Sequence, residues 1–172
     1  MMFAMHTVQD SKAPAGSLLQ GCQEAGEYID AYALPFEGPV SLEAFVEAFY
    51  CTPLFRAERI VLTVFGYPSR DAQARALLQG QGERFAAWRL QARRPNELLM
   101  TDAQGATRSW FFVQAEGGGT RLWFGSALVT RRRGPDGQPI MSQAAKALLG
   151  LHESYSRALL RAAARRLARQ EG

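Results

Sequence analysis

His152 and Tyr155 sit three residues apart on what reads as one long helix, and they are the pair in this chain best placed to move a proton. Imidazole changes charge near neutral pH, so an inward His152 could polarise a carbonyl or act as a general base, with Tyr155 less than one turn away. The plainer alternative is a core histidine whose ring atoms are satisfied by neighbours. The second histidine, His6, lies far away near the start, so the chain offers no cluster for a metal site or a Ser-His-Asp relay. Neither a metal nor a cofactor is called for.

Glu97, Arg89 and Arg108 are charged residues in predicted strands. An unpaired charge turned inward costs several kcal/mol, so an arginine against Glu97 is the natural pair. An inward arginine could instead receive a ligand carboxylate in a bidentate fork, whereas strand alternation could send all three groups to solvent. Trp88, Trp110, Phe112 and Trp123, together with Leu148, His152 and Tyr155, are the candidates for lining a ligand pocket, although an aromatic in a strand also serves as simple core. Cys51 has no histidine near it in sequence to activate a thiolate. Gly117-Gly118-Gly119 joins two strands and opens no helix, so it reads as a hairpin turn and not as a phosphate loop.

These residues depend on a simple succession of elements. Residues 1 to 26 show little apolar periodicity and read as a flexible leader ahead of a single domain spanning 27–172. Glu27 to Leu34 alternates, with Tyr28, Asp30, Tyr32 and Leu34 on one face, and predicts a first strand ended by Pro35. A Ser41 cap and the spacing of Leu42, Phe45, Val46 and Phe49 predict a helix over 42–51. Pro53 opens a second helix to Phe65, with Leu54, Phe55, Ile60, Val61 and Val64 expected inward, and Asp71 to Gln79 forms a short third piece. Four strands come next, Phe85–Arg93, Glu97–Asp102, Thr107–Glu116 and Thr120–Arg132, each break holding turn residues. On the third of them Trp110 and Phe112 share a face with Arg108, and Phe111 and Val113 take the other, so both sheet faces carry apolar material.

From Ser142 to Ala168 runs one helix of about 39 Å, at 1.5 Å per residue long enough to cross the sheet. Leu148, Leu151, His152, Tyr155, Leu159 and Ala162 fall on one side, and Arg157, Arg161 and Arg165 line another. Gly150 inside this helix costs about 1 kcal/mol relative to alanine, which suggests a close backbone approach or space left for a ligand, unless it is merely tolerated.

With 172 residues, 47% of them hydrophobic, the chain suits one core. No stretch approaches the roughly 18 apolar residues of a membrane span, and MMFAMHTVQDSKAPAGS has neither the basic opening nor the apolar run of a signal peptide, so a cytoplasmic protein is expected. Cys22 and Cys51 read as two reduced thiols. Net charge is +4, but residues 131–172 hold nine basic and three acidic side chains, leaving −2 on the rest. Arginines spaced along an amphipathic helix most simply form its solvated face, so stable nucleic-acid binding is not expected.

Three segments carry a resemblance. WRLQARRPNELLM (Trp88 to Met100), TRLWFGSALVT (Thr120 to Thr130) and LHESYSRALLRAA (Leu151 to Ala163) resemble a family of uncharacterised bacterial proteins in the START-like, or SRPBCC, superfamily, which also holds polyketide cyclases, lipid-transfer domains and birch-pollen-allergen-like proteins. The similarity covers about residues 27–168. It implies an α+β helix-grip fold, an antiparallel sheet curved around a long C-terminal helix with two short helices after the first strand. It also implies a hollow between sheet and helix for a small apolar or amphipathic molecule. Five clear strands are legible where the fuller superfamily pattern has seven. A binding protein for such a molecule is the leading reading. The alternatives are a cyclase-like or dehydratase-like enzyme using His152, Tyr155 or Glu97, and an interaction module using the arginine face. An aromatic strand edge could support a homodimer.

Overall fold

Alternation along the strands loads both faces of one sheet with apolar groups, and the chain covers both faces. The computed structural model describes residues 7–129, 134–136 and 143–170, with only the backbone of 143–149. In order the elements are β1 (Gln9–Asp10), α1 (Leu18–Glu24), β2 (Tyr28–Phe36), α2 (Leu42–Tyr50), α3 (Pro53–Val64) and α4 (Asp71–Leu78). Then come β3 (Arg84–Phe85), β4 (Trp88–Arg94), β5 (Glu97–Asp102), β6 (Thr107–Glu116), β7 (Gly119–Leu128) and α5 (Gln143–Gln170). The strands form one antiparallel sheet in the order β1-β2-β7-β6-β5-β4-β3. With α5 lying across it, this is the expected α+β, helix-grip-like architecture.

The two strands beyond the expected five are the short edges β1 and β3. β3 exists because Ala86, at φ 52, breaks the predicted run Phe85–Arg93 in two, and a register shift between Leu90 and Ala92 bends the remainder of β4. Pro35 does not end β2, which continues to Phe36. The predicted tail of the last strand, residues 130–132, lies outside the described residues.

The inner face packs on α2 and α5. Tyr32, Leu34, Phe111, Leu122 and Phe124 meet Phe45, Phe49, Leu159, Leu160 and Ala163 there. Ser41 caps α2 by accepting the Ala44 N–H, as its position suggests. The outer face carries Trp110, Phe112, Trp123, Ala31 and Ala33, and Leu19 and Cys22 of α1 cover them.

For residues 17–24 that cover departs from the flexible leader expected over 1–26, of which residues 1–6 lie outside the described residues. Ser17 caps α1, Leu19 is fully buried, and the Leu18 N–H donates to Glu97 Oε2 at 2.7 Å. One apolar side chain per turn gives little periodicity, so the helix is invisible without its partner sheet. Both cysteines are free and buried. Burial pushes the Cys22 thiol up to about 11, helped by Glu27, and raises Cys51 as well.

α3 also departs from expectation. Phe55 and Arg59 face inward, whereas Leu54, Ile60, Val61, Val64 and Phe65 are exposed. Arg59 sets this phase: its guanidinium reaches Asp71 Oδ1 at 2.5 Å, Ser69 Oγ at 2.8 Å and the Ser69 carbonyl at 2.7 Å, and lies over the Phe85 ring. Burial alone would raise the Asp71 carboxyl, but bonds from Arg59 and Arg56 hold it down at about 2.

On α5 the buried stripe is Ser156, Leu159, Leu160, Ala163, Ala164 and Leu167. It is rotated by about 100° from the predicted one, a shift of one residue at 3.6 per turn. Leu151, expected inward, is 69% exposed, and Leu148 lies outside the residues whose side chains are described. A Cβ on Gly150 would meet nothing within 4 Å, so no close approach requires that glycine.

Gly125 does answer to a close approach. A Cβ there would stand 2.6 Å from Leu19 Cδ2 and 2.7 Å from the Asp30 carbonyl oxygen. Gly125→Ala should therefore cost about 1–3 kcal/mol of overpacking, read from the denaturant midpoint, and an unshifted midpoint would refute the contact. Val64→Lys on the outward face of α3 should change stability by no more than about 0.5 kcal/mol; a larger loss would mean that face is packed.

Candidate functional site

Between β2, β6 and β7 on one side and α2, α3 and α5 on the other lies a cavity of about 500 Å³. Phe49, Phe55, Phe111, Phe124, Trp88 and Leu159 supply its apolar wall. The polar groups come from separate elements. β2 contributes Asp30, β7 Ser126, α3 Glu58, and α5 His152 and Tyr155.

Alternation puts Asp30 on the inner face with Tyr28 and Tyr32, and the β2–β7 ladder sets it opposite Ser126. Asp30 Oδ1 accepts the Ser126 N–H at 2.9 Å, and Tyr32 donates to Oδ2 at 3.4 Å. Ser126 Oγ lies 2.8 Å from His152 Nε2, with Asp30 Oδ2 4.0 Å from the same nitrogen. A serine relay needs serine and carboxylate on opposite ring nitrogens, so these three groups do not form one. What they form is a proton-accepting corner at the cavity mouth, where the His152 side chain is 45% exposed.

Across from it Tyr155 donates its hydroxyl to Glu58 Oε2 at 2.5 Å. Burial raises the Asp30 carboxyl against the opposing pull of His152, and raises the Glu58 carboxyl against the bond from Tyr155. Burial wins in both cases. It also raises the Tyr155 phenol, an effect that Glu58 reinforces.

Of the residues singled out from sequence, Trp88, His152 and Tyr155 line this cavity. Trp110, Phe112 and Trp123 do not, because they belong to the outer face, where Trp110 stacks on Phe112 at 5.5 Å. Glu97 is also on that side. It is 4% exposed and accepts from Leu18 N–H, Trp110 Nε1 at 2.9 Å and Arg94 at 3.1 Å, so its arginine partner is Arg94 and not Arg89 or Arg108. Arg89 is exposed, and Arg108 touches the cavity wall while its guanidinium is held by Glu27 at 2.6 Å and Gln91 at 2.7 Å. Of the arginine row on α5, Arg161 and Arg165 face solvent, but Arg157 pairs with Asp10 at 2.7 Å and stacks over Tyr32.

The sequence reading missed Asp30, Glu58 and Ser126. A carboxylate flanked by two tyrosines on an inner strand face was a usable signal for Asp30. Glu58, one turn after Phe55, needed the correct phase of α3. Among the described residues no group of His, Cys, Asp and Glu has the makings of a metal site, and no helix is long and apolar enough to cross a membrane.

No protein-family model matches the chain, and no curated protein matches it. Solved structures do. The solution structure of CalU16 from Micromonospora echinospora shares 13% identity over 93% of this chain and 73% of that one, with a TM-score of 0.41. Ms6760 from Mycobacterium smegmatis shares 12% over 79% of this chain and 88% of that one, at 0.38. The crystal structure of CalU16 shares 13% over 95% and 92%, at 0.32. The likeness concerns the course of the chain alone.

The two raised carboxyls give stability a definite pH trend. A folded-state value above the unfolded one contributes stability that is present at low pH and is lost as pH rises through the folded value. Glu58→Gln keeps an acceptor for Tyr155 but removes that titration, so its stability relative to the parent should climb as pH rises above the ordinary value of 4.5. A difference that stays flat from pH 4 to 8 in paired denaturation curves would contradict the raised carboxyl.

Proposed function

We propose that this chain is a START-like binding protein that holds a small apolar or amphipathic molecule between its sheet and α5. The carrying observation is the cavity of about 500 Å³ with an aromatic wall. Protein interiors are close-packed, and an apolar void of this size forfeits contacts that neighbouring side chains would otherwise make. Its volume and its few convergent polar groups match the range that small-molecule sites occupy. The segment resemblance to the START-like superfamily supports the same reading, as does the order of elements.

A second reading is an enzyme acting on that molecule. It is favoured by the meeting of Asp30, His152 and Ser126 with the Glu58–Tyr155 pair around one space, where an acid and a base could face the same substrate. Glu97, the carboxylate considered from sequence, has no part in it. A His152→Gln variant that stays folded but loses turnover of a candidate substrate would select this reading, and unchanged turnover would remove it.

The binding reading is tested by comparing native and denatured masses of protein purified from a cell extract. A small molecule should travel with the folded chain at one equivalent and leave on unfolding. Ser109→Phe, which fills the cavity from β6, should abolish that adduct while leaving the fold intact. An empty native mass, or an adduct that survives Ser109→Phe, would overturn the proposal.

A further inference from the structure

The polar part of the cavity has a sign. Asp30 and Glu58 both line it, and no lysine or arginine among the described residues stands within ion-pair distance of either. Among the described residues the group able to carry positive charge beside them is the His152 ring, 4.0 Å from Asp30. Arg108, the arginine at the wall, is neutralised by Glu27. Each carboxyl is partly satisfied by neutral donors, Asp30 by Ser126 and Tyr32, Glu58 by Tyr155.

The rest of the wall is rich in π faces. Phe49, Tyr50, Phe55, Phe111, Phe124 and Trp88 surround the same space. Aromatic faces attract cations, and the attraction grows where water is excluded. A carboxylate ligand would instead have to bury its charge in a low-dielectric site beside two acids, where no lysine or arginine among the described residues is free to meet it.

We infer that the cavity takes a lipophilic amine, its ammonium group reaching Asp30 and Glu58 and its apolar body lying among the aromatic rings. The inference rests on the binding reading above and names the class of ligand for that site. An ammonium supplies donors to both carboxylates in charge-assisted bonds, which neither receives from a lysine or arginine among the described residues.

The choice of ligand carries a proton with it. Burial disfavours the ionised form of both acids, and an arriving cation favours it. Binding then expels protons, and affinity rises with pH from the ordinary carboxylate range upward. Among the described residues the titratable and charged groups around these acids are Tyr28 and Tyr32 of β2, Tyr50 of α2, Arg108 of β6, and His152 and Tyr155 of α5, while Glu153 and Arg157 of α5 act on Tyr28 and Tyr32.

Calorimetric titration with naphthylmethylamine, naphthylmethanol and naphthoate tests this, since the three differ in charge and hardly in size. The amine should bind at least about tenfold tighter than the alcohol, with naphthoate weakest, and its heat should vary with buffer ionisation enthalpy as protons are released. Asp30→Asn combined with Glu58→Gln should remove the amine preference and the proton release, with an unchanged circular-dichroism spectrum and a cooperative thermal transition showing that the variant folds. Naphthoate binding as tightly as the amine, or a preference that survives both substitutions, would overturn the amine assignment and spare the cavity. If none of the three binds, the binding reading falls and the assignment falls with it.

Discussion

The ring of Phe49 is the contact around which the inner side of the molecule is arranged. It sits 4.9 Å from Phe111 and 4.6 Å from Phe124, so one side chain of α2 touches two adjacent strands. Phe45 and Tyr50 add edge contacts to Phe111, at 5.9 and 5.5 Å. Such pairs add on the order of 0.5–1.5 kcal/mol each beyond the area they bury. More important for function, large rigid rings set how closely helix and sheet can approach. With α2 propped on Phe49, α5 cannot collapse onto the whole sheet, and the space left beneath it toward β2 and β7 is the cavity.

A sheet hollow on one face needs support from the other. The outer face supplies it through Trp110, Phe112 and Trp123, which pack against each other and under α1. Glu97 links the three parts of that layer: its carboxylate accepts from the start of α1, from the Trp110 indole and from Arg94 beside the β4–β5 turn. A buried carboxylate with three donors is stable where an unpaired one would not be. The tryptophans thus hold the site from behind. Gly125 belongs to the same arrangement, because only a residue without a side chain lets Leu19 and Trp110 close over β7.

Local pattern serves well wherever a residue's fate is decided by its neighbours in sequence. β5 and β6 run over the predicted residues, since Asp102 folds the turn between them by accepting from the backbones of Gln104, Ala106 and Thr107. Alternation also sorts Trp110 from Phe111 correctly. It cannot say which face meets α5, and so three aromatics expected in the pocket lie on the opposite side of the sheet. The phase of α3 escapes for a related reason: apolar count favours Ile60, Val61 and Val64, whereas the buried partner is Arg59, whose contacts with Ser69 and Asp71 no hydrophobic period contains. α1 is beyond reach because its cover is explained by residues far along the chain, and Asp30, signalled only by its place between two tyrosines, shows its partners Ser126 and His152 only in the fold.

Such distances along the chain shape how the molecule is made. The Leu18 amide meets Glu97, 79 positions later, and Asp30 meets the Ser126 amide, 96 positions later. At about 5–20 residues per second of ribosomal synthesis, the first helix waits roughly 4 to 16 s for its carboxylate alone. During that interval Leu19 and Cys22 have no sheet to cover and β2 lacks the neighbour that completes it. The nascent chain therefore emerges with the apolar side of α1 unsheltered, and closing the outer layer is an event of late translation, when β7 clears the ribosome and the distant parts of the fold can finally meet.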